Sequence, residues 1–565
     1  MARFVQPATA PGDPYPDDHV LHATLGRLLG DAAPLAVPRL AALGRDVQDR
    51  LRAAHADAEA HPPVLVRYGP WGERLDRVDT APGWAVLRAA AARHALVATP
   101  YLPEARQSFG AGARVVQHAL LHLYGPESAV YTCPVAMSDG AAALLSLPEV
   151  DPAVRDAWLP LLVSTDPDTA VTAGQWMTEA QGGSDLSGTS TVAARDDTGR
   201  WRLTGEKWFC SAIDSPVAVA LARPAGAGTG SRVLAPFLVP RYGPGGTPAP
   251  GISVHRLKDK LGTRAVPTGE VGLAGAAALP LGDPDTPGLA RMLTLVVVTR
   301  LHNAAAAAAG MRRGLDLARR YAALRHAGGR PLEQQPLHRA TLATLAVHAQ
   351  AAYTLAAHAF ALMGRVEVDA DATAAAELRL VAPLAKAATA RLAVAAASEY
   401  LECFGGAGYV EDTGVPRLLR DAQVLPIWEG TTNVLAVDTL RALTRGEGGK
   451  QVLARIEAAA DLAVPLRPGT GLPAPADALA RGRTHLAGLL ADLAGTAAPG
   501  GARDVMLRLA DVLTAALLVE QARYDHGRGD PHGAAVAGLW AAQRLDRTDI
   551  GVPAAAAYDL LLDRR

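Results

Sequence analysis

Residues 420–433 read RDAQVLPIWEGTTN, and the chain is organised around them. One carboxylate, Glu429, stands between a large aromatic, Trp428, and a turn of Gly430, Thr431 and Thr432, late in a helical, alanine-rich region. Taken alone it is a loop glutamate near a helix start, with Thr431 or Thr432 as the cap. Its company gives it weight. FGGAGYVEDTGVPRLLRD (Phe404–Asp421) lies just upstream, MTEAQGGSD (Met177–Asp185) further back, and LTGEKWFCSA (Leu203–Ala212) between them.

Outward from that stretch, residues 288–445 consist of long helical runs, among them GLARMLTLVVVTRLHNAAAAAAGMRRGLDLARRYAALRHA and DATAAAELRLVAPLAKAATARLAVAAASEYLECFG. Their lengths and small-residue faces predict a close-packed four-helix bundle. Residues 171–287 change to short β-prone runs such as AVTAGQWMTE, VAVALAR, VLAPFLVP and ISVHRL, with turns at Asp-Asp-Thr-Gly (196–199) and Gly-Pro-Gly-Gly (243–246). That texture predicts a small antiparallel barrel or sandwich. Residues 1–170 alternate helix-periodic segments, HVLHATLGRLLGDA and GWAVLRAAAARHAL among them, with Pro and Gly breaks; AVRDAWLPLLVS follows Asp151-Pro152, a cap and a first-turn proline. Residues 446–565 follow a Gly-rich break and carry a Pro/Gly linker, PLRPGTGLPAPAD, before further helices. The predicted fold is mainly α with a central β-barrel domain: an N-terminal helical domain, the barrel, a helical bundle and a C-terminal helical extension.

A chain of 565 residues exceeds one core and fits several domains. With 55 basic and 56 acidic residues it carries no overall pull toward nucleic acid or an anionic membrane. Three scattered cysteines, Cys133, Cys210 and Cys403, form neither a disulfide framework nor a zinc site and fit a reducing cytoplasm. The N-terminus lacks the charged start and apolar run of a signal peptide, and alanine-rich runs such as 303–311 are short and flanked by arginine, so a cytoplasmic location without membrane contact is expected.

In QWMTEAQGGSD, Thr178 and Ser184 offer hydroxyls while Gly182 and Gly183 let backbone N–H groups approach a ligand, as a pyrophosphate or flavin edge requires. Together, in order and spacing, these stretches resemble the acyl-CoA dehydrogenase family of flavoproteins. RLKDKLGTRAVPTGEVGL (Arg256–Leu273), RHAGGRPLEQQPLHR and IWEGTTN narrow the resemblance, across essentially the whole chain, to the family's AidB-like branch.

The resemblance implies FAD as cofactor and a reaction, α,β-dehydrogenation of a small acyl thioester or of a related substrate with an acidic C–H or N–H beside the flavin. Glu429 would abstract the α-proton, and the β-hydrogen would leave as hydride to flavin N5. Thr299 stands where some family members place the base instead, and it cannot serve. Carried-over cofactor contacts are Met177 (through its backbone), Thr178, Ser184, Phe209, Ser211, Gly405, Gly406, Thr431 and Asn433, with Trp208 beside Phe209 leaving open which ring covers the flavin. Arg325 matches an arginine that binds the FAD pyrophosphate of a neighbouring subunit, which implies at least a dimer and, in this branch, a homotetramer. Gly328 departs from the family's usual phenylalanine, and Glu402 from its usual glutamine. Trp428 and Arg300 are the candidate substrate-side residues. No metal is expected, and the electron acceptor stays open.

Two alternatives remain at this stage: an AidB-like stress protein that binds nucleic acid, and a flavin oxidase or monooxygenase on the same fold. The first needs clustered positive charge, yet residues 446–565 hold 13 basic against 14 acidic residues, which counts against DNA as a partner.

Overall fold

The computed structural model describes residues 6, 8–242, 247–467, 474–496, 499–546 and 561. The Gly-Pro-Gly-Gly turn, the start of the N-terminal leader and the middle of the Pro/Gly linker lie outside them. By compactness the chain falls into two units: Asp46–Pro103 with Glu127–His302, and Met1–Arg45 with Glu104–Pro126 and Asn303–Arg565.

The first unit is built on β3 (Ala173–Trp176), β4 (Val192–Arg195), β5 (Trp201–Ser211), β6 (Val217–Pro224), β7 (Ala235–Pro240), β8 (Ile252–Leu257), β9 (Thr268–Ala277) and β10 (Leu279–Pro280). Alternation explains why VAVALARP is almost continuously apolar. Ala218, Ala220 and Ala222 of β6 join a core with Trp176, Phe237, Val254 and Val271, while Val217, Val219 and Leu221 join a second core with Leu144, Met292 and Leu295. A strand covered on both faces needs no polar side, and β6 has none.

The strands run in the order β10-β7-β6-β4-β5-β9-β8, with β3 added parallel to β6. This path is open, so the closed barrel expected from the strand spacing does not form among the described residues. The end at β8 meets a hairpin that the helical reading of residues 1–170 missed, β1 (Val64–Tyr68) with β2 (Arg74–Asp79). Asp76 of β2 accepts the Val254 N–H on its carboxylate at 2.9 Å, and its carbonyl accepts from Arg241 Nη2 at 2.8 Å. The Asp76 carboxylate thus serves an edge N–H of β8 that a further strand would otherwise have paired. In the N-terminal part Asp151 caps helix Pro152–Leu162 as its sequence predicts, accepting from Ala153 N–H at 2.8 Å.

The second unit is helical. Ala372–Cys403 packs against Pro336–Asp369, Thr432–Arg445, Gly448–Ala463 and Ala502–His526, and its Tyr400 hydroxyl donates to the Met311 carbonyl of helix Leu289–Leu324 at 2.8 Å. Two of these, Leu289–Leu324 and Ala372–Cys403, are long and apolar enough to cross a membrane by composition, but their most apolar windows are 78% and 83% buried inside the fold. Small residues set the spacing. A Cβ on Gly364 would lie 1.9 Å from the Ala111 carbonyl oxygen, and one on Gly448 would lie 2.3 Å from that of Ala376. Backbones approach there as no larger side chain permits.

The C-terminal helices are tied to the bundle by ions. Glu377 accepts from Arg455 at 3.0 Å and faces His358 at 2.9 Å; Glu520 accepts from Arg455 at 2.6 Å and pairs with Arg27 at 3.5 Å. Burial alone would raise the Glu377 pKa, but His358 and Arg455 bring it down to about 2. A carboxyl whose pKa is depressed in the fold contributes stability above its ordinary value and loses it as pH falls. Thermal unfolding is therefore expected to show a midpoint that drops as pH is lowered from 4.5 toward 2, and Arg455→Met should flatten that dependence; an equally steep loss in the variant would contradict the assignment.

Candidate functional site

Each unit carries one part of the predicted site. In the sheet unit two motifs meet at the end of β3. Trp208 N–H donates to the Thr178 carbonyl at 2.9 Å, which fixes QWMTE against the middle of β5. Glu179, buried, takes the Lys207 ammonium at 2.7 Å and the N–H and hydroxyl groups of Ser190 and Thr191 at 2.6–3.1 Å. Lys207 also donates to the Leu221 carbonyl of β6 at 2.7 Å. Burial would raise the Glu179 pKa; Lys207 and these donors hold it well below the carboxylate range. One ion pair therefore joins the Met177–Asp185 loop to two strands.

Beyond Glu179 the loop turns through Gly182 at φ +136°, a conformation suited to glycine. A Cβ on Gly183 would lie 2.6 Å from Thr178 Oγ1, so any side chain there would crowd the hydroxyl predicted to reach a ligand. Met177 and Thr178 are half-buried and Ser184 is exposed. On β5 the pairing with β9 shifts between Lys207 and Cys210, which releases strict alternation at Trp208 and Phe209. Lys258 Nζ then sits over both rings, 3.4 Å from the Trp208 centroid and 4.8 Å from that of Phe209, while Glu270 accepts from it at 2.5 Å. Phe209 is 53% exposed and Trp208 half-buried, so Phe209 presents the more open ring. Ser211 Oγ lies 3.2 Å from Thr268 Oγ1. Arg300 is buried on helix Leu289–Leu324.

In the helical unit the decisive turn follows Val415–Ala422. Glu429 has φ +56° and Gly430 φ +104°. A left-handed glutamate is uncommon and is held by its surroundings. Lys386, fully buried on helix Ala372–Cys403, donates to the Gly430 carbonyl at 2.6 Å, and Asn303 Nδ2 donates to the Leu425 carbonyl at 3.1 Å. Trp428 and Glu429 are half-buried. Thr431 is the N-cap of Thr432–Arg445 by position, but its side chain makes no capping bond. Asn433 is exposed and its Oδ1 accepts from Arg503 at 3.2 Å.

At the end of Ala372–Cys403, Gly405 has φ +55°, and no atom stands within 4 Å of a Cβ built on Gly406, so this backbone is open to a ligand. Phe404 stacks on Tyr321 at 4.6 Å. Arg325 is exposed beside a short hairpin, His326–Ala327 with Arg330–Pro331, whose turn is Gly328 and Gly329 at φ +58° and +83°. Glycine at 328 is what this two-residue turn requires.

In the sheet unit the hydroxyls of Thr178 and Ser184 and the exposed Phe209 ring suit a flavin edge, and in the helical unit the open backbone of Gly405 and Gly406 and the exposed Arg325 suit a nucleotide phosphate. Lys386, Asn303, Glu179 and Lys207 are contributions that motif reading missed. The available signal was a lone lysine in an alanine-rich helix and a Glu/Lys pair inside two quoted motifs, but its meaning depended on contacts remote in sequence.

Comparison with known proteins follows the same division. The model of the acyl-CoA dehydrogenase middle domain matches residues 174–275, that of the C-terminal domain residues 286–444, and that of the adaptive response protein AidB N-terminal domain residues 5–169. Acyl-CoA dehydrogenase family member 11 of Caenorhabditis elegans is 39% identical over 453 residues, 79% of this chain and 73% of its own. AidB of Escherichia coli (strain K12) is 34% identical over 435 residues, 75% and 74% of the two chains. The crystal structure of Caenorhabditis elegans ACDH-11 in complex with C11-CoA superposes with a TM-score of 0.91 at 34% identity, covering 96% of this chain and 93% of that one.

Removing the carboxylate from the Glu179–Lys207 pair strands a buried ammonium, a change that typically costs about 3–5 kcal/mol. Glu179→Gln should lower stability by that order in denaturant titration, whereas a loss below about 1 kcal/mol would show that the pair does not hold the loop.

Proposed function

The chain belongs to the acyl-CoA dehydrogenase family, in its AidB-like branch, and on that footing we propose that it desaturates an acyl-CoA thioester between the α and β carbons with Glu429 as the base. It is an oxidoreductase, and its cofactor is FAD. The observation that carries the assignment to Glu429 is its left-handed backbone at φ +56°, in a turn whose next carbonyl is gripped by buried Lys386.

An α-proton beside a thioester is weakly acidic, so its removal calls for a base fixed in place and partly shielded from water. Half-buried Trp428 would supply an apolar wall beside Glu429, and the Lys386 bond to the Gly430 carbonyl would hold the turn that carries the carboxylate. The Glu429 carboxylate takes the α-proton and becomes the neutral acid. Bound FAD would supply the two-electron acceptor for the β-hydrogen as hydride, so that with the α-proton on Glu429 the substrate's loss of two electrons and two hydrogens balances. Thr178, Ser184, the Met177 backbone and Ser211 would hold the flavin side, with Phe209 covering the ring. Gly405, Gly406, Thr431 and Asn433 would meet the adenylate half. Arg325, exposed beside its glycine hairpin, supports a reading in which it reaches the pyrophosphate in another subunit, and with it a homotetramer. Arg300 and Trp428 are the proposed substrate-side residues. The relative crystallised with C11-CoA favours a CoA thioester over a free acid.

Anaerobic titration with acyl-CoAs of graded chain length, read as bleaching of the flavin absorbance, tests the proposal. One thioester should bleach the wild type, and Glu429→Gln should bind FAD normally yet bleach about 10²–10⁴-fold more slowly. A variant that bleaches at the wild-type rate would remove Glu429 from the role, and silence of the FAD-loaded wild type toward every acyl-CoA would remove the substrate class.

A further inference from the structure

Asn433 stands next to a concentration of positive charge that the proposed chemistry does not use. Arg503, one residue inside helix Ala502–His526, donates Nη1 to Asn433 Oδ1 at 3.2 Å. An arginine in the first helical turn is opposed by the helix dipole, so it is not there to stabilise the helix. Arg391, on helix Ala372–Cys403, feels the charges of both Arg503 and Arg544; burial and these two cations lower its pKa. Of the three, Arg544 is neutralised by Asp511 at 2.9 Å, whereas Arg391 and Arg503 have no carboxylate partner among the described residues. Like charges gathered without counterions destabilise a fold unless an anion joins them.

We infer that Arg503, with Arg391 nearby, is a further cofactor-binding residue: the C-terminal extension supplies a guanidinium to the phosphate of the adenylate half of the FAD that Asn433 contacts. This rests on the reading of Asn433 as an adenylate contact. The two features belong together chemically, since the Asn433 amide can hydrogen-bond a nucleotide while a guanidinium fork fits a phosphate. The extension is then part of the cofactor site as well as a cap on the bundle, and the Arg503–Asn433 bond holds the fork in place until phosphate replaces the amide oxygen as its acceptor.

The test is FAD binding to the full-length apoprotein, followed by quenching of flavin fluorescence, for wild type, Arg503→Lys and Arg503→Gln, at two salt concentrations. Loss of one charged contact should weaken FAD binding about 10- to 100-fold in Arg503→Gln. Arg503→Lys should recover part of it, and the wild type should lose more affinity in high salt than Arg503→Gln does. Unfolding midpoints of the apoproteins check that the variants are folded; comparable midpoints with weakened FAD binding support the inference. Wild-type FAD affinity in Arg503→Gln overturns it, whether or not acyl-CoA binding falls. Should Arg503→Gln not fold, Arg391→Gln replaces it under the same two outcomes. A wild type that binds no FAD would instead defeat the underlying cofactor reading.

Discussion

The hydrogen bond from the buried Lys386 ammonium to the Gly430 carbonyl fixes the turn on which the proposed chemistry depends. An ammonium taken out of water costs several kcal/mol unless its donors are satisfied, so a buried lysine is held where its acceptors lie. A methionine of similar length would serve the packing of helix Ala372–Cys403 as well. What the lysine adds is direction. It reaches 44 residues along the chain and holds Glu429 in a left-handed conformation that its own preferences oppose.

The sheet unit solves a similar problem with a complete ion pair. Lys207 and Glu179 are both buried, and each has further partners: strand β6 for the lysine, the Ser190–Thr191 backbone and hydroxyls for the glutamate. Satisfied in this way, the pair pins the Met177–Asp185 loop while leaving Thr178 and the glycines beyond it for a ligand. Phe209 and Trp208 lie where the ladder slips, with Lys258 over both, so the aromatic surface is also set by a cation. In both units charge fixes backbone that glycine would otherwise leave free.

Much of this order was legible in the sequence, and the failures have physical causes. VAVALARP reads as a strand because both its faces are buried, and the long alanine-rich runs read as helices packed on small residues such as Gly364 and Gly448. Strand spacing could not distinguish an open sheet from a closed barrel, since that depends on Asp76 serving the edge of β8. The hairpin of β1 and β2 was hidden because its strands are half exposed and carry several charged residues, including Arg67, Arg74, Asp76 and Arg77. The position of Glu429 beside a glycine turn could be read from residues 420–433, but its left-handed backbone and its tether could not. Thr431 looked like a helix cap and occupies the cap position, yet its hydroxyl makes no capping bond. Local pattern located these residues; contacts remote in sequence determine what they can do.

If Lys386 places Glu429 for proton abstraction, exchange of the substrate α-hydrogen measures that placement directly. The FAD-loaded protein would be incubated in D₂O with the acyl-CoA that bleaches it, and α-deuterium followed by mass spectrometry under anaerobic conditions. Lys386→Met keeps the Glu429 carboxylate while removing the tether to the Gly430 carbonyl, so the folded, FAD-loaded variant should exchange at least about tenfold more slowly because the turn is no longer held. Exchange at the wild-type rate in Lys386→Met would contradict the account.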